Sequence, residues 1–129
     1  VELMVVAVIV AVLASVAIPM MSGSKKKAMV TEAQAALGMA RSCLRAMYAE
    51  TRDYSHDPGG NALEAGDPLT VIPGVSAGDL AGKFFQESDY TIQTISRDAY
   101  VLKCQGSTGE VAGVVITLDQ SGVLQVTGI

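Results

Sequence analysis

The N-terminal stretch VELMVVAVIVAVLASVAIPMM constrains this chain more than any other part of its sequence. Residues 3–21 are apolar apart from Ser15, and one carboxylate, Glu2, stands directly before them. A helix of that length spans roughly 28 Å, close to the thickness of the hydrocarbon layer of a bilayer. A cleaved signal peptide would instead have a basic start, a shorter apolar stretch and a small-residue cleavage site. The sequence therefore predicts a retained hydrophobic helix, residues 1–24, that is able to cross a membrane.

Pro19 predicts a defect in this helix. Proline has no N–H to donate to the carbonyl of Ser15, and it disfavours helical geometry at Ile18. We therefore expect the α-helix to be interrupted between Ala11 and Pro19 in an assembled state. Extended backbone is tolerated there only where surrounding helices exclude lipid and water.

Glu2 places an energetically unfavourable carboxylate at the edge of an apolar segment. A carboxylate near the hydrocarbon costs up to a few kcal/mol unless it stays in the headgroup layer or finds a positive partner, and its position alone leaves both possibilities open. Glu2-Leu3-Met4, the β-branched and alanine-rich run, and Ala17-Ile18-Pro19 together resemble the class III signature of type IV pilins and of the pseudopilins of type II secretion systems. The resemblance is strong over the first 21 residues and architectural beyond them.

The resemblance implies a life cycle and a set of partners. A prepilin peptidase would remove a basic leader, the new N-terminal residue would be methylated, and about three residues would precede Val1 in the mature chain. The subunit would wait in the bacterial inner membrane and then join identical subunits, through an assembly platform, in an extracellular pilus. Glu2 would pair with the N-terminal amine of a neighbouring subunit, so that Glu2 and Pro19 are the assembly residues.

Composition argues against catalysis and against nucleic-acid binding. The net charge is −4 and the chain has a single histidine, His56. The usual catalytic constellations cannot be assembled from it, and no phosphate loop or nucleophile elbow is present. His56 and Asp57 lack companions at metal-ligand spacing. We expect a protein that is not an enzyme and that uses no cofactor and no metal.

Residues 25–50 predict an amphipathic helix that continues into a globular head. Their apolar arc covers more than half of the circumference, which predicts two partners, the chain's own sheet and neighbouring chains. Lys25, Lys26 and Lys27 form a basic collar that suits solvent, lipid headgroups or an acidic partner. Glu32 lies inside the arc, where it would meet either water or the lysine collar of another subunit. The arc consists of Met29, Val30, Ala33, Ala36, Leu37, Ala40, Cys43, Leu44, Met47 and Tyr48.

The head, residues 51–129, divides into a loop and a sheet. Residues 51–89 are rich in Gly, Pro, Asp and Ser, with one helical turn expected at 76–81. Strand-like runs at 90–96, 99–105, 113–118 and 123–127 are joined by short turns, which favours sequential antiparallel pairing. We therefore predict an α+β fold in which a long N-terminal helix with a proline break packs its second half on a four-stranded antiparallel meander. This is the ladle shape of the pilin family.

A disulfide between Cys43 and Cys104 is also predicted. Alternation along its strand places Cys104 on the apolar face, and helical spacing places Cys43 on the arc that meets the sheet. In an oxidising compartment such a bridge would contribute roughly 3 to 4 kcal/mol. The alternative is two buried free cysteines that act as small hydrophobic residues.

These features favour a structural subunit, a major pilin. The alternatives are a secretion pseudopilin, or a minor pilin that acts as a tip adhesin or in DNA uptake. Pseudopilins often carry a calcium site of clustered acids near the C-terminus, and here only Asp119 and the preceding Glu110 are available, which favours the pilus. A minor pilin would more often show a basic, aromatic-bearing head surface.

Overall fold

A single long helix and a small sheet make up most of this chain. The computed structural model describes residues 2–128, and the side chains of all of these except residues 16–24. Helix α1 (Glu2–Thr51) is followed by an irregular segment with one short α-helix, α2 (Ala77–Leu80), and 3₁₀ turns at Leu69–Val71 and Glu87–Asp89. The sheet consists of β1 (Tyr90–Ile95), β2 (Tyr100–Gln105), β3 (Val115–Asp119) and β4 (Leu124–Thr127). The predicted α+β class, with an N-terminal helix and four antiparallel strands, is confirmed.

The expected proline break is not present in this structure. Helix α1 is continuous from Glu2 to Thr51, through Pro19. A proline removes only the one hydrogen bond that its own N–H would donate, so the turns on either side keep theirs. One turn earlier the Ser15 hydroxyl donates to the carbonyl of Val12 at 2.8 Å, a bond that does not replace the one lost at Pro19.

The second half of α1 buries one face in the head. The buried residues recur at spacings of three and four, as expected of a helix packed on a core. They are Met29, Val30, Ala33, Ala36, Leu37, Ala40, Leu44 and Met47. This set reproduces most of the apolar arc that the sequence predicts.

The width of the arc has a different cause from the one expected. The sequence suggested that neighbouring chains would cover the part that the sheet leaves free. Instead the segment 51–89 of the same chain packs there, and Leu69, Ile72, Leu80 and Phe85 join the core. The head thus closes its own core on two sides of the helix.

The helix ends at a residue in a left-handed conformation. Arg52 has φ 61°, and its N–H donates to the carbonyl of Tyr48 at 2.7 Å. This geometry is a common way to end a helix and to turn the chain away from its axis. The ring of Tyr48 then stacks on Tyr54 at 4.4 Å between centroids, and Tyr54 meets Tyr100 edge-on at 4.8 Å, so the aromatic contacts fasten the helix end to β2.

The sheet is a meander in the order β1-β2-β3-β4, with every pair antiparallel. Its inner face is apolar, because Tyr90, Ile92, Leu102, Cys104 and Ile116 point toward the helix and are buried. The outer edge of β1 is covered by the chain itself. There the N–H of Gly66 donates to the carbonyl of Ile92, and the N–H of Ile92 donates to the carbonyl of Asp67.

Candidate assembly surface

The first turns of α1 carry an apolar surface that no other part of the described chain covers. Leu3 is 85% exposed and Leu13 65% exposed, and all the large side chains between them are more than half exposed. They lie on every side of the helix. Exposed apolar patches of this extent mark sites of contact with other proteins or with membranes. The residues are Leu3, Met4, Val5, Val6, Val8, Ile9, Val10, Val12 and Leu13.

Glu2 lies in the first turn of this helix and is exposed. An acidic side chain there is favoured by the partial positive charge of the helix N-terminus. Neither of the two ion pairs found among the described side chains includes Glu2. The backbone of Pro19 is helical, and its side chain lies outside the described part of the chain.

The predicted membrane segment, residues 3–21, extends into residues 16–21, whose side chains lie outside the described part. Within the described residues, none of the helices combines the length and the apolar character needed to cross a bilayer.

Glu32 has a role that the sequence did not predict. Its carboxylate accepts hydrogen bonds from the backbone N–H groups of Lys83, Phe84 and Phe85, at 3.1 to 3.3 Å. It therefore meets neither water alone nor the lysine collar of another subunit. A carboxylate bound by successive N–H groups is a charge-assisted contact, stronger than one between neutral groups. We call this arrangement the Glu32 clamp.

Gly82 makes room for the Glu32 clamp. A Cβ atom at this position would collide with the carboxylate of Glu32. The clamp thus depends on a residue without a side chain directly before the three donors. A glycine in a loop-like sequence has many uses, so only the acidic residue inside the apolar arc offered any signal.

A second polar contact ties the base of the head to the start of its helix. Lys25 Nζ lies 2.9 Å from Glu110 Oε1, and both side chains are more than half exposed. A cavity of about 420 Å³ opens beside this pair, lined among others by Met29, Lys83 and Phe84. The ammonium of Lys83 lies 5.4 Å from the centre of the Phe84 ring. We call this space the basal cavity.

The predicted disulfide is wrong for this structure, because both cysteines are free. Cys43 is half-buried, and its sulfur would be 3.1 Å from a Cβ atom at Gly74. Cys104 is buried on the sheet, and its removal from water, followed by the charges of Asp89 and Glu32, raises its pKa. Cys43 lies eleven residues beyond Glu32, about 16 Å further along the helix. The side chain of Cys43 thus faces Gly74 in the segment 51–89, whereas Cys104 lies on the sheet.

Burial dominates the chemistry of the groups around Cys104. Removal from water raises the pKa of the Cys104 thiol to about 12. It also raises the pKa of its register partner Tyr90, and that of Tyr100 to about 12. The hydroxyls of both tyrosines are buried without a hydrogen-bond partner in the described structure. These groups stay neutral at physiological pH and belong to the core.

The acidic loop residues serve local turns. Asp119 accepts from the N–H groups of Ser121 and Val123, and the Ser121 hydroxyl, the largest influence on it, lowers the pKa of Asp119. His56 Nδ1 lies 3.1 Å from Asp53 Oδ2. In the part of the chain that the structure describes, no three His, Cys, Asp or Glu side chains lie close enough to hold a metal ion.

Searches of protein-family models, of curated proteins and of solved structures found no match to this chain. The geometry combines a head with a closed core and a projecting helix whose apolar side chains are unpaired, an arrangement suited to association.

Proposed function

We propose that this chain is a structural subunit, a major pilin, that polymerises through the first half of α1 into an extracellular type IV pilus. The observation that carries the proposal is the exposed apolar surface on all sides of residues 3–13. The pilin-like signature that includes Glu2 and Pro19 supports the interpretation of this surface as the one through which subunits polymerise. Identical helices packed together would bury it in the core of a filament.

Burial of this surface is a sufficient driving force for assembly. Each large aliphatic side chain transferred out of water contributes roughly 1.5 to 3 kcal/mol. Apolar burial has no direction, however, and does not fix how far one helix slides along the next. A buried ion pair contributes little net stability, but it penalises arrangements in which a charge is left without its partner. Glu2 paired with the N-terminal amine of a neighbouring subunit would set the axial register.

Before assembly, the same helix would hold the subunit in the inner membrane. Residues 3–21 are long enough for the hydrocarbon layer. Prepilin peptidase and an assembly platform would be its partners at that stage. Both assignments follow from the proposed pilin identity.

The test is replacement of Glu2 in the host that produces the protein. Glu2→Ala should leave a processed chain in the membrane fraction and lower its amount in sheared surface filaments at least about tenfold, because an uncompensated buried charge costs several kcal/mol. Quantitative mass spectrometry of the two fractions measures this ratio. Glu50→Ala is the matched control, since Glu50 is an exposed residue of the same helix. Filaments of normal amount and length from the Glu2 variant would refute the pairing role, and absence of this chain from surface filaments would refute the proposal.

The secretion pseudopilin is the alternative, and calcium distinguishes the two. Asp119 is already engaged by Ser121 and Val123 in the turn between β3 and β4. We therefore expect the melting temperature of the chain to be the same in calcium and in chelator. A calcium-dependent rise that Asp119→Ala abolishes would favour the pseudopilin. A minor pilin at a filament tip would be recognised by a low copy number relative to the other filament proteins.

A further inference from the structure

The basal cavity contains two lysines that lie close to the start of the head. Lys25 is paired with Glu110, but a contact between two exposed side chains contributes little and is readily exchanged. Lys83 is in neither ion pair found among the described side chains, and its ammonium lies over the ring of Phe84. Both lysines line the cavity together with Glu110, so its lining carries two ammonium groups against one carboxylate. The cavity therefore offers cationic groups to an incoming anion.

The position of Lys83 is set by the Glu32 clamp. Three N–H groups, one of them its own, are held by a carboxylate on α1, and Gly82 allows the close approach. The loop is thereby fixed beside the part of α1 that carries Lys25. The two lysines are brought together by structure, since 58 positions separate them in the sequence.

The level of the basal cavity relative to a bilayer follows from its distance, in the sequence, from the apolar run. Lys25 comes four residues after Met21, the last residue of the apolar run, which is about 6 Å along a helix. The polar layer of each leaflet is roughly 5 to 8 Å thick. If residues 3–21 occupy the hydrocarbon, as the proposed function has it, the cavity lies at the level of the lipid phosphates.

We propose that the basal cavity binds the phosphate of an anionic lipid headgroup while the subunit waits in the membrane. Lys25 exchanges Glu110 for the phosphate, Lys83 supplies a second cation, and the ring of Phe84 lies at the interfacial level. Assembly then requires release of this contact, so the lipid orients the head before the helix leaves the bilayer. The inference rests on the proposed function.

The experiment uses the absence of tryptophan from the sequence. Phe84→Trp places one fluorophore beside the cavity of the full chain, reconstituted in vesicles that carry a spin label on a neutral headgroup. Vesicles of phosphatidylcholine alone are compared with vesicles that contain one part phosphatidylglycerol to two parts phosphatidylcholine. We expect phosphatidylglycerol to increase the quenching of Trp fluorescence. In this background Lys25→Ala or Lys83→Ala should each lower the ratio of docked to undocked heads about fivefold.

Lys103→Ala is the matched control, because this substitution also removes one positive charge and Lys103 lies on the sheet. It should leave the quenching unchanged. Equal loss in all three lysine variants would mean general attraction to a charged surface and would overturn the site. Quenching independent of phosphatidylglycerol would also overturn it. So would inorganic phosphate or an acidic peptide that abolishes the signal at millimolar concentration, since either would identify a soluble occupant.

Hydrogen exchange on the unmodified chain provides a measurement free of substitutions. Amides of the loop that contains Glu110 should exchange more slowly in vesicles with phosphatidylglycerol, and unchanged exchange would contradict the proposal.

Flotation of the chain with the vesicles separates the lipid-docking hypothesis from the proposed membrane stage of the subunit. A chain that fails to float refutes both the docking and the membrane stage of the proposed function. A chain that floats without any response to phosphatidylglycerol refutes the docking alone.

Discussion

The two halves of α1 have the same backbone conformation and opposite environments. In the first half, Leu3 is 85% exposed and Leu13 65% exposed, whereas Leu37 and Leu44 in the second half are fully buried. The difference lies in the pattern of side chains around the helix. The first half is apolar on all sides, while the second buries one face and carries the exposed polar side chains of Thr31, Ser42 and Arg45 outside it. Such a one-sided helix completes a domain, and a helix that is apolar all round needs an apolar environment from outside.

The largest expected difference in stability is between two variants that each truncate one leucine, one in each half of α1. Leu37→Ala should lower the free energy of unfolding of the head by about 2 to 5 kcal/mol, because it leaves a cavity in a closed core. Leu13→Ala should change it by no more than about 0.5 kcal/mol. Urea unfolding of the full chain in detergent micelles, followed by near-ultraviolet circular dichroism of the tyrosines, measures both. Similar losses would show that the two halves are not energetically separate.

A pair of glutamates sharpens the same comparison. Glu32→Gln should destabilise the head by about 2 kcal/mol, since hydrogen bonds from three N–H groups lose their ionic acceptor. Glu2→Gln should leave head stability unchanged. The unfolding assay is the same, with hydrogen exchange at residues 83–85 as a local readout. Normal protection of these amides in the Glu32 variant would contradict the clamp.

The buried thiol predicts a loss of stability in alkali. The Cys104 thiol ionises near its ordinary pKa of 9.0 when unfolded and near about 12 when folded. Between these values the unfolded chain has lost a proton that the folded chain keeps, so stability falls as pH rises, by at most about 1.4 kcal/mol per pH unit from this group. Cys104→Ala should reduce the slope of stability between pH 9 and 11. An unchanged slope in the Cys104 variant would place the alkaline sensitivity elsewhere, with Tyr100 the next group to examine.

The smallest effect is expected at the boundary of the two halves. Glu110→Gln removes the ion pair with Lys25, whose side chains are both more than half exposed. Head stability should change by less than about 1 kcal/mol, and the difference should vanish in molar salt. A larger loss would mean that this contact belongs to the core of the head. Melting curves at low and high ionic strength are sufficient to measure it.

The elements of the fold were predictable because their signals are local. Alternation in the sequence located all four strands to within two residues at each end, and the periodicity after Lys27 identified the buried face of α1. The turn expected at 76–81 is α2, with Ser76 and Asp79 in a reciprocal capping box.

The predictions that failed, or that were not made, concern contacts between segments distant in the sequence. Periodicity says which face of a helix carries Cys43, but it does not say that Gly74 of the segment 51–89, and not Cys104, lies against it. The Glu32 clamp was missed for a related reason. Its donors are backbone groups, which every sequence contains, and they lie more than fifty residues away. Pro19 leaves α1 continuous in the single chain, because the loss of one hydrogen bond is a local cost that a long helix absorbs, and the break expected in an assembled state stays a prediction.

The cover over β1 limits how the heads could ever combine. Gly66 and Asp67 already occupy the N–H and C=O groups of Ile92 on the outer edge of β1, whereas β4 ends the described sheet on the other side. Growth by strand addition from copy to copy needs a donor edge and an acceptor edge on every molecule. With one edge closed, two copies could pair β4 to β4 and the chain of sheets would stop there. The cover at Ile92 thus disfavours indefinite, amyloid-like stacking of heads.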